Sequence, residues 1–288
     1  MDFEELVVVY EKLEETASGN EMREILSEFF KAVPKTDIRI ITYLTLGQIS
    51  SDYEGVVLGM AEKMVLKSIS LAGGVDSSKV RKFFKETGDA GLTAEKIMAN
   101  KPQTLVPVGK LTIDGFFAGL HKISKAEGSG SQDLKINILA SMLQKTSPKG
   151  AKYLVRIALG ILRMGVGDKT VLDSLAIAFT GEKKNKKILE HAYNICPDVG
   201  IIADCIANEG LLGVEKIKVV VGRPIRMMLA QRVKEIEAIT EKISGKIAIE
   251  EKYDGERIQA HKTKGKISLF SRRLENITDQ FPDVIKYL

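Results

Sequence analysis

Cysteine, histidine and tryptophan are scarce or missing in this 288-residue sequence, and each shortage excludes a class of protein. It contains two cysteines, three histidines and no tryptophan. Two cysteines cannot form the disulfide framework on which small secreted scaffolds depend. Together with three scattered histidines they do not supply the ligand set of a structural zinc site either. We therefore predict a chain stabilised by an ordinary hydrophobic core, with no metal ligands of its own.

Signals for export and for membrane insertion are missing too. The N-terminus, MDFEEL, is acidic where a signal peptide would be basic. The most apolar stretch, residues 151–167, is interrupted by Arg156 and Arg163, so no membrane-spanning helix is predicted. No low-complexity linker separates the segments. We expect a soluble cytoplasmic protein that is monomeric and has no membrane partner.

The formal net charge of +5 is unevenly distributed along the chain. Residues 1–100 carry a net charge of −5, residues 101–190 carry +8, and residues 191–288 carry +2. A basic block of this kind is typical of a surface that binds a polyanion such as nucleic acid. Solvated helix faces would give the same excess, so charge alone leaves both interpretations open.

Residues 1–214 have the periodicity of successive helices. Apolar residues recur at helical spacing, and signals such as Gly73-Gly74 and Ser147-Pro148 mark helix ends and starts. The C-terminal helices of this part are predicted at 148–164, 169–179, 184–195 and 199–208, preceded by helices at 56–72, 78–87, 110–126 and 132–145.

The pattern changes after residue 214. Short β-type segments are predicted at residues 217–221, 246–252, 256–262 and 266–270, with one helix at about 228–240. Turns at Asp254-Gly255 and Lys264-Gly265 indicate an antiparallel meander. The predicted fold is a mainly α domain, residues 1–214, followed by the start of an α+β domain with antiparallel strands, residues 215–288.

The segment GVGDKT, residues 165–170, has only part of a phosphate-binding loop. That loop requires a glycine directly before its lysine and a strand in front of it. Asp168 occupies the glycine position, and a helix is predicted before the segment. A carboxylate in a phosphate cradle is repulsive, so no nucleotide site is predicted here. The two cysteines, Cys196 and Cys205, are interpreted as core residues.

The segment EEKYDGER, residues 250–257, suggests covalent nucleotidyl transfer. In that reaction a neutral lysine amine attacks the α-phosphate of a nucleotide and pyrophosphate leaves. Lys252 at a strand end can point into a pocket, Gly255 lets the chain turn at once, and Arg257 returns with donors for a ribose or phosphate. An ordinary hairpin with a surface lysine would show the same short pattern.

A second segment makes the pattern specific. EEKYDGER and FSRRLENIT, residues 270–278, resemble the opening motifs of the ATP-dependent DNA ligases. The helical part resembles the DNA-binding domain of replicative ligases in their archaeal form, through GSGSQ (128–132), SPKGAKYLVR (147–156), LRMGVGD (162–168), AYN (192–194) with Asp198 and Gly200, and RPIRMMLA (223–230). The resemblance covers nearly the whole chain. These ligases are grouped with RNA ligases and mRNA-capping enzymes in the nucleotidyltransferase superfamily, and the capping enzymes lack such a helical domain.

The resemblance implies a role for each matching residue of the nucleotide site. Lys252 would become adenylated, and Glu250 would accept the amino group of adenine. Arg257 would contact the ribose, and Arg272 would contact the nucleotide or the 5′-phosphate side. ATP and Mg²⁺ would be the cofactors, with Mg²⁺ neutralising the phosphates and its ligands lying beyond Leu288.

The resemblance also implies that the helical domain holds nicked double-stranded DNA through phosphate contacts, which position without reading sequence. The predicted contacts are Lys149, Lys152, Arg156, Arg163 and Lys169. For each lysine, a solvated surface charge is the alternative interpretation. For Arg163, the alternative is packing against a helix carboxylate.

The resulting hypothesis is an ATP-dependent DNA ligase that seals nicks through a lysyl-AMP intermediate in replication, repair and recombination. Few residues follow Lys252, so we expect the chain to be the N-terminal half of such a protein. A DNA-binding module without chemistry and an RNA ligase are the alternatives. A sliding clamp would be a further partner, but the comparable stretch, residues 103–106, lacks the aromatic residues of a clamp-binding peptide.

Overall fold

The structure is a computed structural model that describes residues 1–101 and 109–288. Within these residues helices follow one another up to Glu215, a short helix follows at Glu237–Lys242, and paired strands come only after it. The mainly helical first part predicted from the sequence is confirmed. The helices are α1 (Phe3–Glu14), α2 (Gly19–Ala32), α3 (Ile38–Thr45), α4 (Glu62–Gly73), α5 (Ser77–Thr87), α6 (Ala90–Ala99), α7 (Ile113–Ser124), α8 (Ser131–Leu143), α9 (Pro148–Ala158), α10 (Asp168–Thr180), α11 (Lys186–Ile195), α12 (Val199–Glu215), α13 (Glu237–Lys242) and α14 (Pro282–Tyr287).

Local sequence explains where many of these helices begin. A side chain placed just before the helix accepts a hydrogen bond from a backbone N–H of the first turn, which has no partner within the helix. The residues that do so are Ser18, Asp76, Asp89, Thr112, Ser147 and Asp198. The helix start predicted at Ser147-Pro148 is therefore confirmed.

The helix predicted for residues 148–164 is shorter than its apolar pattern suggested. α9 ends at Ala158, and Gly160 follows with a φ of 68°. A residue in this left-handed conformation does not continue a right-handed helix. Arg163 therefore lies in the loop between α9 and α10 and not on a helix.

Two other helix boundaries differ from the prediction. The helix predicted for residues 56–72 begins only at Glu62, after Gly55 and Gly59, which both have positive φ. The helix predicted to end at residue 208 extends to Glu215, across the non-helical Gly210, whose φ is 68°. A glycine tolerates this conformation at no steric cost, so the chain can bend and re-form the helix.

The hydrophobic core is built by helices that are distant in the sequence. α6 packs on α9, α2 on α10, α4 on α8, and α3 on α12. A single cluster of buried side chains extends from Phe3 to Val214. Its aromatic pairs include Tyr10 and Tyr153, whose ring centroids are 5.1 Å apart. This cluster ends at the residue where the predicted domain boundary lies.

The C-terminal part has two paired strands, β1 (Gln259–Thr263) and β2 (Lys266–Phe270). They are antiparallel, with Gln259 opposite Phe270 and Thr263 opposite Lys266. The predicted strand at 266–270 and the antiparallel turn before it are confirmed. A small group of buried residues lies on β2 and in the segment after it: Leu269, Phe270, Leu274 and Ile277.

Other predictions for this part were wrong. Residues 217–221 and 246–252 form no strand, β1 begins at Gln259 instead of residue 256, and the helix predicted at 228–240 is reduced to α13. Residues 246–252 are exposed and have no neighbouring strand within the described residues. A strand needs such a neighbour for its backbone hydrogen bonds, and a β-type composition alone does not provide one.

Within residues 1–101 and 109–288, no helix combines the length and the hydropathy needed to cross a bilayer. The same residues contain no group of three His, Cys, Asp or Glu side chains placed to hold a metal ion. The stretch considered for clamp binding, residues 103–106, lies outside the described residues, so that prediction stays a prediction.

Candidate active site and nucleic-acid interface

One groove of about 920 Å³ collects the four residues predicted for the nucleotide site. Residues 250–258 form one side of it, residues 227–230 another, and Arg272 contributes from the segment after β2. Glu250, Lys252, Arg257 and Arg272 are thus neighbours in space, although 22 positions separate the first from the last in the numbering. The sequence motifs on either side of β1 and β2 meet because the hairpin folds back.

The groove is lined by three cations and by four carboxylates, Glu250, Glu251, Asp254 and Glu256. Lys252, Arg257 and Arg272 are exposed cations, and none of them forms an ion pair within the described part of the chain. Arg257 Nη1 lies 3.3 Å from Met227 Sδ, which places the guanidinium against the 227–230 side. Uncommitted lysine and arginine donors are what phosphate oxygens require. The carboxylate of Glu250 adds an acceptor for a base amino group.

Two of the predicted DNA contacts are occupied by internal partners. Lys152 and Arg156 on α9 are only 7% and 6% exposed. Lys152 Nζ lies 3.0 Å from Glu11 Oε1 and 2.8 Å from Glu14 Oε2 on α1. Arg156 lies 2.8 Å from Glu14 Oε1 and 3.2 Å from Asp89 Oδ2. These two side chains join α1, α6 and α9 and leave little surface for a phosphate.

The hydrogen bonds that α9 makes to α1 lower the pKa values of the two α1 carboxylates, Glu11 and Glu14. Partial burial of Glu14 favours its neutral form, but hydrogen bonds from Lys152, Arg156 and Tyr153 outweigh burial and lower its pKa to about 2. The same balance, with Lys149, Lys152 and Tyr153 as donors, lowers the pKa of Glu11. Tyr153 OH donates to Glu14 Oε2 at 2.7 Å. The cluster is therefore a charged structural junction at neutral pH.

The other three predicted contacts keep exposed side chains. Lys149 lies on the surface and pairs with Glu11. Lys169, in the first turn of α10, is exposed and forms no ion pair in the described ranges. The side chain of Arg163 is 58% exposed, and its Nη1 lies 3.5 Å from Asp89 Oδ2. The alternative interpretation of Arg163 therefore holds in part, since one side of its guanidinium touches a carboxylate.

The sequence analysis did not predict the acidic partners of Lys152 and Arg156 on α9. Glu11, Glu14 and Asp89 all belong to the acidic first block, and they contact α9 about 70 to 140 positions away, as in the 141-residue separation of Lys152 and Glu11. The opposite charges of the first two blocks were the available signal. Asp168 was missed as well: it accepts hydrogen bonds from Tyr193 OH at 2.8 Å and from Arg226 Nη1 at 2.9 Å.

Comparison with known proteins matches both parts of the chain. Residues 2–176 match the family model described as DNA ligase N terminus, and residues 227–288 match the ATP dependent DNA ligase domain. The DNA ligase of Nitrosopumilus maritimus is 43% identical over 286 residues, which are 99% of this chain and 49% of that protein. The DNA ligase 2 of Thermofilum pendens is 44% identical over 97% of this chain and 48% of its own length.

A probable DNA ligase of Aquifex aeolicus is 42% identical over 100% of this chain and 49% of its own length. The chain thus spans about half the length of the curated relatives it matches. The two ligase models, one over most of the helical part and the other over residues 227–288, cover most of the described elements. The chain belongs to the ATP-dependent DNA ligase family.

Proposed function

We propose that the protein containing this chain is a DNA ligase that uses ATP to seal nicks in duplex DNA, through AMP bound covalently to Lys252. The observation that carries the proposal is the groove that unites Glu250, Lys252, Arg257 and Arg272 in a chain that belongs to this family. Its processes would be DNA replication, repair and recombination, inside the cell and at the nucleoid.

The proposed chemistry uses the groove residues as follows. The neutral amine of Lys252 attacks the α-phosphorus of ATP, the bond from that phosphorus to the bridging oxygen breaks, and pyrophosphate leaves while the amine gives up a proton. Arg257 contacts the ribose, and Arg272 stabilises the negative charge that develops on phosphate oxygens. Glu250 accepts the adenine amino group. The AMP then passes to the 5′-phosphate of a nick, and the 3′-hydroxyl displaces it.

Magnesium, when bound with the nucleotide, would neutralise phosphate charge. The groove contains carboxylates, but the described residues bring no three candidate ligands together.

We propose the helical part, residues 1–214, as the DNA-binding domain and residues 215–288 as the beginning of the adenylation domain. The continuous core cluster ending at Val214 supports this boundary. Among the predicted contacts, Arg163, Lys169 and Lys149 are exposed enough to meet phosphates. Lys152 and Arg156 would act indirectly, because their ion pairs fix α9 and the loop after it.

Replacing Lys252 tests the proposed chemistry. In the full-length protein, Lys252→Ala is expected to abolish the covalent AMP adduct and to leave DNA affinity unchanged, since only an amine here forms the phosphoramidate. Lys252→Arg should fail as well, because a guanidinium stays protonated. The measurement is radiolabel from α-labelled ATP that survives denaturing electrophoresis.

The matched control is Lys264→Ala, which changes an exposed lysine in the turn between β1 and β2, outside the groove. It should be labelled like the unmodified protein. A Lys252→Ala protein that still carries covalent AMP would refute the assignment.

A further inference from the structure

The segment just before the groove is tied to the helical part by an ion pair. Arg226 Nη1 donates to Asp168 Oδ2 at 2.9 Å, and the Arg226 backbone N–H donates to the carbonyl of Asn194 at 2.7 Å. The guanidinium lies over the Tyr193 ring, 4.5 Å from its centroid. Three separate parts of the chain, the start of α10, the end of α11 and the segment before the groove, therefore meet at one side chain.

Tyr193 completes this contact. Its hydroxyl donates to the same Asp168 oxygen at 2.8 Å. Burial, and then the Asp168 carboxylate beside it, raise the pKa of Tyr193 above its ordinary value, so the hydroxyl remains a donor at every physiological pH. Asp168 thus accepts two hydrogen bonds through one oxygen. A carboxylate that also accepts a hydrogen bond from Tyr193 holds Arg226 more firmly than an isolated surface ion pair would.

The segment is held from its other side by β1. The side-chain amide of Gln259 accepts from the Ile225 N–H at 2.8 Å and donates to the Ile225 carbonyl at 3.0 Å. His261 Nδ1 accepts from the Gly222 N–H at 2.9 Å. Pro224, between these anchors, is buried. Residues 222–226 therefore have defined contacts on both sides.

The segment of residues 222–226 lies directly before the residues of the nucleotide groove. Met227 follows Arg226 directly, so their Cα atoms are about 3.8 Å apart across a trans peptide. Residues 227–230 form one side of the groove, and Met227 Sδ lies 3.3 Å from the guanidinium of Arg257. A shift of Arg226 would move this side against Lys252, and misplacement by about 1 Å is enough to slow a reaction that depends on orientation.

We propose that Asp168 is a positioning residue for nucleotide binding: through Arg226 it holds residues 227–230 in place as one side of the groove. The helical part would then take part in the first step of the reaction, which needs no DNA, besides holding the DNA itself. The aspartate that makes GVGDKT unsuitable as a phosphate loop acquires a function in this way. The inference rests on the proposed function of Lys252.

The test is self-adenylation of full-length protein in the absence of DNA. Asp168→Asn is expected to raise the ATP concentration for half-maximal lysyl-AMP formation about tenfold, as expected for loss of one charge-assisted contact. Nick affinity should not be weakened, because no DNA contact is removed. Arg226→Gln should match this effect, and Arg226→Lys, which keeps the charge, should restore part of the loss.

The matched control is Asp133→Asn. Asp133 also lies in the first turn of a helix and also forms an ion pair, with Lys67 at 3.1 Å, but it is exposed and its partner does not belong to the segment before the groove. Asp133→Asn should leave the ATP concentration for half-maximal lysyl-AMP formation unchanged. The double variant Asp168→Asn/Arg226→Gln should be no worse than either single variant if the two act as one pair.

Two results would overturn the inference while leaving the proposed function intact. One is an Asp168→Asn protein with the unmodified dependence on ATP. The other is a parallel fall in Tm, nick affinity and adenylation, which would show a general structural role. Failure of the unmodified protein to form any adduct would instead refute the proposed function.

Discussion

Arg163 combines an unusual backbone with an exposed charge. Its φ of 53° is in the left-handed region, which costs a non-glycine residue about 1 kcal/mol. Arg163→Gly relieves that cost and removes the guanidinium. If Arg163 meets a phosphate, this change should flatten the slope of log affinity against log salt by about 0.9 for duplex DNA of any sequence, with Tm unchanged or higher.

Lys12→Ala and Lys35→Ala serve as controls for Arg163, because both lysines are exposed in the acidic first block. They should leave the salt slope unchanged. The competing interpretation, a structural contact to Asp89, gives the opposite pattern: an unchanged slope with a lowered Tm.

Glu14 is expected to make the free energy of unfolding depend on pH in the acidic range. Its pKa falls from 4.5 in the unfolded chain to about 2 in the fold, so its contribution is complete above about pH 4.5 and disappears as the pH falls to about 2. Glu14→Gln should therefore lower stability at pH 7 and much less at pH 2.5. Urea unfolding at the two pH values measures this difference.

The neighbouring Glu15→Gln is the control, because Glu15 is exposed and forms no ion pair in the described residues. Glu15→Gln should change the free energy of unfolding by the same small amount at both pH values. A Glu14→Gln effect that is equal at pH 7 and pH 2.5 would contradict the assigned ion pairs.

At the scale of elements, the packing of α6 on α9 depends on a glycine. A methyl group on Gly91 would lie 2.8 Å from the carbonyl oxygen of Lys152 and 2.9 Å from Arg156 Cγ. Since a backbone oxygen cannot move aside, Gly91→Ala is expected to destabilise the fold by about 1–3 kcal/mol and to lower Tm. Gly109→Ala, where a methyl group meets no atom of the described residues within 4 Å, should be neutral or slightly stabilising.

At the scale of the whole molecule, a polypeptide of residues 1–288 should bind duplex DNA without sealing nicks. The groove residues 250–256 are all exposed, so the groove does not enclose a nucleotide, and the chain spans about half the length of its relatives. ATP should raise the Tm of this polypeptide little. Multiple-turnover sealing of a nicked duplex by purified 1–288 would contradict the prediction.

The local sequence determined most helices of residues 1–214 and the four candidate residues of the groove. Helix caps, glycine stops and 3.6-residue periodicity act over a few neighbouring positions, so they can be recognised without a fold. Glu250, Lys252 and Arg257 belong to the motif at residues 250–257, and Arg272 belongs to the motif at residues 270–278. The resemblance of the two motifs to those of ligases predicted these four residues, which the structure brings together in one groove. Whether they perform the proposed roles remains a prediction.

Only the tertiary structure decided which charges are free and which strands form. Lys152 and Arg156 are paired with carboxylates 67 to 142 positions away, and no local pattern encodes such partners. Residues 246–252 have a β-type pattern but no neighbouring strand in the described chain, since backbone pairing requires a second segment. Asp168 meets Arg226 across 58 positions, and its function depends on that contact. Electrostatic partners and strand partners are properties of the assembled fold, because only folding brings distant residues within a few ångströms of each other.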